Sequence, residues 1–172
     1  MAKIVQIKEK KGKVLREIAK IVSIEEIKTP KLQQEINDMK EALAEQSDGV
    51  ALAAPQIAIS KRIFIVNPTI FMEMEISTEN NISNVFINPE IIKKSTDNKL
   101  MDEGCLSVRP LYGKVRRSSR ATVKALNENG KEFQLEATGL LAQIFQHETD
   151  HLNGVLFIDR ATEIYELKEH ED

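Results

Sequence analysis

The chain has one cysteine and no tryptophan among 172 residues, and only three histidines, two tyrosines and five prolines. A single thiol closes no internal disulfide, so a reducing cytoplasm is the expected setting. No apolar run approaches the ~18 residues needed to cross a bilayer, and Met1-Ala2-Lys3-Ile4-Val5 opens no apolar segment long enough for a secretory signal. A membrane partner is therefore not expected. Excess positive charge is missing too: the formal net charge is −3, which argues against nucleic acid as a direct partner. Two local basic runs, 8–13 and 116–120, carry no interleaved aromatics and read as solvated faces. With no repeat, linker or composition break, residues 1–172 are expected to fold as one domain with a sizeable core.

Two of the three histidines fall in one place, His147-Glu148-Thr149-Asp150-His151, a His-Glu-x-x-His pattern. The preceding Leu140-Leu141-Ala142-Gln143-Ile144-Phe145 has helical spacing, Thr138 stands where an N-cap belongs, and Gly154 where a helix-ending glycine belongs. Positions four apart on a helix lie one turn above each other, so His147 and His151 can present their rings to one point. Leu140 and Ile144 extend that row upstream, which predicts a buried face. Glu148 projects about 100° from His147, within reach of a water held at the same point. The competing reading is two ordinary helical histidines, since so short a pattern recurs by chance.

Elsewhere the pattern is mixed. Val14–Ala19 is compatible with a turn or two of helix, and Lys31 to about Gln46 carries Leu32, Ile36, Met39 and Leu43 at one-sided helical spacing. Gly49-Val50-Ala51-Leu52-Ala53-Ala54-Pro55-Gln56 is uncharged and rich in small residues, open to a tight turn or to close approach of a ligand. Lys61–Asn67 reads as a strand and 69–84 as a hairpin extension or surface loop. Two short strands, Val85–Asn88 and Ile91–Ile92, are expected on either side of Pro89-Glu90. Alternating runs at 121–126 and 132–136 flank Asn127–Gly130 and predict an antiparallel hairpin. A short charged helix is expected from Ala161. The class is α+β with a largely antiparallel sheet.

A catalytic site of this kind commonly takes three protein ligands and keeps a position open. A third histidine after Gly154-x-x is ruled out, because the position holds Phe157. A downstream carboxylate, Glu163, Glu166 or Glu171, is one remaining candidate. The other is Cys105, whose thiolate suits zinc and other borderline metals and whose neighbour Gly104 allows close packing against the helix.

Gly49–Gln56, Glu103-Gly104-Cys105-Leu106-Ser107 and Gln146–Leu152 resemble the three signature motifs of the peptide deformylase family, in that family's order and over essentially the whole chain. The resemblance implies one catalytic domain with antiparallel sheets packed around a central helix bearing both histidines. It implies hydrolytic removal of the N-formyl group from the initiator methionine of new polypeptides, with release of formate. It assigns Cys105, His147 and His151 as metal ligands, Glu148 as acid/base, and the Gln56 side chain and Leu106 N–H as oxyanion donors. Ferrous iron is the metal it favours, with Zn2+, Ni2+ or Co2+ accepted by the same ligands. The partners it implies are nascent formyl-methionyl chains, with a transient ribosome contact left open. On that reading a tight wall of small residues at 49–54, with Gly49, Val50 and Ala51 at its start, is expected to admit formyl and exclude acetyl, and Val50, Leu140 and Ile144 to line a methionine pocket, plain core packing being the alternative for these three. Two departures stand out: Ala51 replaces a second glycine, and Val108-Arg109-Pro110 replaces the usual Val-Pro-Gly. The acidic tail (Glu166, Glu169, Glu171, Asp172) is unlike the basic ribosome-docking helix of some relatives. Competing classes are a metallopeptidase with a downstream carboxylate ligand, a metal that only braces the fold, and a relative with drifted substrate.

Overall fold

The computed structural model describes residues 2–166. Among these residues eight strands form two antiparallel sheets. The larger runs in the order β1 (Ala51–Ala53), β2 (Ile63–Val66), β3 (Val85–Lys94), β6 (Arg120–Leu126) and β7 (Glu132–Thr138); the smaller is β4 (Asn98–Gly104), β5 (Leu111–Ser118) and β8 (Glu163–Glu166). Helices α1 (Ile24–Ile27), α2 (Pro30–Ala44), α3 (Pro68–Glu73) and α4 (Gly139–Leu152) complete the α+β architecture expected from the sequence.

The period of two in the strands explains the layering. Phe64 and Val66 of β2 and Phe86 of β3 face α4, meeting Leu141, Ile144 and Phe145. Ile63, Ile65, Val85 and Ile87 face the other way, onto Leu32, Ile36, Met39 and Leu43 of α2. The large sheet is thus covered on both faces, which is why Ile63–Val66 is a continuous buried run rather than an alternating one. Phe64 and Phe86 stack at 4.4 Å, and Phe145 of α4 lies 5.4 Å from Phe86. Burying such a ring contributes roughly 1.5–3 kcal/mol, and here that burial fixes α4 against the sheet. The start of α2 is set locally: Thr29 Oγ1 accepts from Leu32 N, and Pro30 occupies the first turn, where a missing N–H costs nothing.

Several local expectations change. Pro89 does not end a strand, because β3 runs unbroken to Lys94 with a register shift between Ile87 and Glu90. A bulge is where a proline without an N–H can sit inside a sheet. Asn88 takes φ +50° there, and its amide exchanges hydrogen bonds with the Val22 backbone at 2.9 and 2.7 Å. Part of 69–84 is helical: Asn67 caps α3 through Thr69 N, with Pro68 in its first turn. The turn near Val14 is a 3-10 helix over Lys10–Arg16. The stretch after Ala161 is strand β8, not helix, because it completes the edge of β5, pairing Tyr112 with Tyr165 and Lys114 with Glu163. Residues 167–172, including Glu169, Glu171 and Asp172, lie outside the described residues.

Candidate active site

Helix α4 sits between the two sheets. Thr138 immediately precedes it, although its side chain makes no capping hydrogen bond. At the far end Gly154 takes φ +72°, and a β-carbon there would lie 2.6 Å from the Arg16 carbonyl oxygen, so the turn that ends the helix requires glycine. On the helix His147 and His151 lie one turn apart and meet edge to face, with ring centres 4.9 Å from each other.

Cys105, at the end of β4, meets them. Its Sγ lies 3.2 Å from His151 Nε2, and one ligand atom from each of Cys105, His147 and His151 falls within 4.8 Å of the others. Among the described residues no Asp or Glu joins this group. Glu163 and Glu166 are exposed on β8, while Glu171 lies outside the described residues. Gly104 does not pack on α4; a β-carbon there would meet the Tyr112 ring at 2.6 Å.

The donor set fits a metal both in its chemistry and in the unpaired atom beside it. One sulfur and two imidazole nitrogens suit a borderline divalent cation. Burial and the neighbouring His147 push His151 well below its ordinary pKa, which keeps it neutral as a ligand must be. Beside the cluster, Glu148 is buried and its Oε2 has no hydrogen-bond partner among the described residues. Burial raises this carboxyl to about 7 against the opposing pull of His147. A buried oxygen left unpaired is costly unless a ligand completes it, so the residues present fit a metal with a reactive water position.

Behind the histidines lies a network that sequence reasoning missed. His147 Nδ1 meets Glu103 Oε2 at 2.9 Å, and Arg117 grips the same carboxylate bidentately, Nε to Oε1 at 2.6 Å and Nη2 to Oε2 at 2.8 Å. Arg117 also donates to Asp150 Oδ2 at 2.7 Å, and Asp150 accepts from Arg160. Burial would raise the Glu103 pKa, but hydrogen bonds from Arg117 and His147 outweigh it and hold the carboxyl at about 2. The basic run 116–120 is therefore not wholly a solvated face: Arg116 is exposed, whereas Arg117 is 4 % exposed. Alternation along β5 is the signal that finds it, since Val115 and Arg117 share the inward face. The other run stands as expected, with its lysines exposed.

Gln56 is buried, and its orientation follows from its bonds: Oε1 accepts from Ala53 N at 2.8 Å, leaving Nε2 toward Ser107 Oγ at 3.3 Å and Cys105 Sγ at 3.5 Å. A cavity of about 310 Å³ opens over His147, Glu148 and Cys105, with Gln56 and Leu106 on its wall. Gly49, Val50, Ala51, Leu140 and Ile144 all line it, while His151 is buried behind. Leu140 departs from the buried face expected of it: it is 42 % exposed, at the mouth, whereas Ile144 is buried. The Ala51 methyl is absorbed into the core shared with α4 as well as lining the cavity.

A thiol, two imidazoles and a buried, unpaired carboxyl at the floor of a cleft define the site class as that of a metal-dependent hydrolase. The polypeptide deformylase family profile matches residues 1–166. A peptide deformylase of Halothermothrix orenii is 46% identical over 164 residues, covering 95% of this chain and 97% of that protein. Another from Chromobacterium violaceum is 46% identical over 133 residues, 77% of this chain and 74% of its own. Among solved structures, peptide deformylase from Thermotoga maritima superposes with a TM-score of 0.78 at 36% identity, covering 95% of this chain and 99% of that one. A peptide deformylase from Synechococcus elongatus, solved in complex with actinonin, gives 0.76 at 36% identity over 93% of this chain and 78% of its own. The chain belongs to the polypeptide deformylase family, and its activity is that family's removal of N-formyl groups from nascent chains.

Proposed function

We propose that residues 1–172 form one catalytic domain in which Cys105, His147 and His151 hold a single divalent ion, Glu148 moves the proton, and Gln56 Nε2 with the Leu106 N–H binds the formyl oxygen as it gains charge. The observation that carries this reading is the convergence of the three ligand atoms within 4.8 Å beside the unpaired Glu148 Oε2. When bound, the ion supplies Lewis acidity and brings the pKa of an attacking water toward neutrality. Glu148, raised to about 7, accepts the water proton and returns it to the departing methionine amine at little cost in either direction. Gln56 is pre-aimed by the Ala53 N–H on its carbonyl, so its amide need not reorganise during attack. Glu103 and Arg117 act as positioning residues, fixing the ring and tautomer of His147.

The groove runs between two strand edges that are unpaired among the described residues, β1 of the large sheet and β4 of the small one. An extended peptide fits there by main-chain pairing, which reads no side chain and suits a substrate class as varied as nascent chains. Val50, Leu140 and Ile144 offer apolar surface for the methionine, and Gly49–Ala51 leaves room for formyl but not acetyl. Ferrous iron is the proposed ion, with zinc, nickel or cobalt as substitutes that thiolate and imidazole accept equally. No helix among the described residues is long and apolar enough to cross a membrane; the lone thiol suits a reducing cytoplasm, and nascent chains as substrate leave a transient ribosome contact open.

Anaerobically purified protein is expected to release formate from formyl-Met-Ala-Ser, with acetyl-Met-Ala-Ser turned over at least about 100-fold more slowly. Comparable rates on the two peptides would remove the size argument for Gly49–Ala51. Cys105→Ala is expected to strip the metal, measured by elemental analysis after dialysis. A metallopeptidase using a downstream carboxylate would keep it.

A further inference from the structure

A charge pair crosses the mouth of the cavity, and the reaction at the floor does not use it. Arg109 lies in the connection between β4 and β5, and Asp48 in the connection between α2 and β1. Arg109 Nη2 donates to Asp48 Oδ1 at 2.6 Å, and the two side chains are 45% and 56% exposed. The pair therefore ties together the two walls whose strand edges form the groove. Arg109 also stands where the chain departs from the family's usual Val-Pro-Gly.

The rim chemistry is asymmetric. Asp102 at the mouth is already taken by Lys114 Nζ at 2.9 Å and Tyr165 OH at 2.7 Å, and Glu103 is buried against Arg117. Among the described residues lining the cavity, Arg109 is the one arginine or lysine. A guanidinium carries five N–H donors in a fixed fork, and Asp48 occupies one of them. An exposed pair of this sort adds little to stability, so a second carboxylate can join or displace Asp48 without unsettling the fold.

Spacing indicates which substrate residue reaches it. Asp48 lies two residues before Val50, in the turn that leads into β1, and both line the cavity, while an extended peptide advances roughly 3.3 Å per residue. A peptide running antiparallel to β1 from a methionine beside Val50 heads toward the Arg109–Asp48 pair, and the alternation of side chains turns its third residue, two beyond methionine, to the same side as the methionine.

We propose that Arg109 is a specificity-determining residue that receives an acidic side chain at the third position of the substrate, so that this enzyme favours nascent chains with Asp or Glu there over those with Lys or Arg. The inference rests on the deformylase reading of the site. Steady-state kinetics on formyl-Met-Ala-Asp, formyl-Met-Ala-Ser and formyl-Met-Ala-Lys test it with wild type, Arg109→Ala, Arg109→Lys and Asp48→Asn.

Wild type is expected to prefer Asp over Lys by about fivefold in kcat/KM, carried by KM with kcat nearly constant. Arg109→Ala brings the ratio to about one, Arg109→Lys keeps its direction at smaller size, and Asp48→Asn widens it by removing the competing carboxylate. Raising salt to about 0.5 M compresses the wild-type ratio, as expected for exposed charges. A ratio unchanged in Arg109→Ala, a preference for Lys, or a difference lying in kcat alone would overturn the proposal. No formate from formyl-Met-Ala-Ser with wild type would instead overturn the deformylase reading beneath it.

Discussion

Replacing Glu148 with alanine is expected to leave about one metal ion per chain while lowering formate release by about 10³-fold, within the 10²–10⁴ that a positioned proton carrier supplies. The two readouts separate because Glu148 is not among the three clustered ligand atoms, yet it lines the same cavity. Its carboxyl is suited to the task by being badly placed for stability: it is buried, and Oε2 lacks a partner among the described residues. Burial lifts its pKa to about 7, where gain and loss of a proton are nearly balanced. Glu148→Gln keeps the shape and hydrogen-bonding capacity but carries no exchangeable carboxyl proton, so it is expected to be as inactive as the alanine variant. Both variants should be at least as stable as wild type, since a group that is costly to bury has been neutralised or removed. Metal content with normal turnover in either variant would remove Glu148 from the proton transfer, and loss of the metal itself would make Glu148 a ligand.

The parts of this protein legible in its sequence are those decided by local physics. Helix α2 follows from the one-sided spacing of Leu32, Ile36, Met39 and Leu43, and α4 from the row that carries both histidines. The β6–β7 hairpin follows from alternation about Asn127–Gly130, and its register pairs Leu126 with Glu132 directly across the turn. What escaped is set by neighbours distant in sequence. Pro89 looks like a strand breaker until Asn88 is seen bonded to Val22, which supports the bulge from outside the sheet. The segment after Ala161 has a helix-compatible composition, yet the open edge of β5 recruits it as a strand, and Tyr165 then stacks on Tyr112 at 6.3 Å. Leu140 continues the histidine row by spacing, but the helix begins one residue earlier at the mouth of a cavity, so the face is open there. Cys105 is legible as a candidate ligand by its chemistry, whereas the groups that hold His147 are not. A carboxylate at 103 and a guanidinium in a run of basic residues show nothing local that says they meet under α4.

That buried pair carries the second large effect. Arg117→Ala removes the bidentate partner of Glu103 and one partner of Asp150, leaving a 5 % exposed carboxylate facing only His147 and Gln143. Breaking one side of a buried ion pair costs about 3–5 kcal/mol, which should appear as a large fall in the denaturation midpoint. Arg117→Lys is not expected to rescue it, because a point charge cannot fill both hydrogen bonds of the fork. Acid has a related effect. The Glu103 pKa is lowered in the fold, so its contribution is complete above about 4.5 and drains away as pH falls toward about 2, a loss seen as wild type minus Glu103→Gln in metal-free protein. Replacing both partners, Arg117→Met with Glu103→Gln, should recover much of the stability, since no uncompensated charge remains between them and Asp150 keeps Arg160. The metal should not follow. With the carboxylate gone from His147 Nδ1, the ring loses the acceptor that fixes its tautomer, and affinity is expected to stay roughly 10–100-fold down by competition with a chelator. A double variant that regains both stability and affinity would reduce Glu103 and Arg117 to core filling, and one that regains stability alone assigns them the positioning of His147.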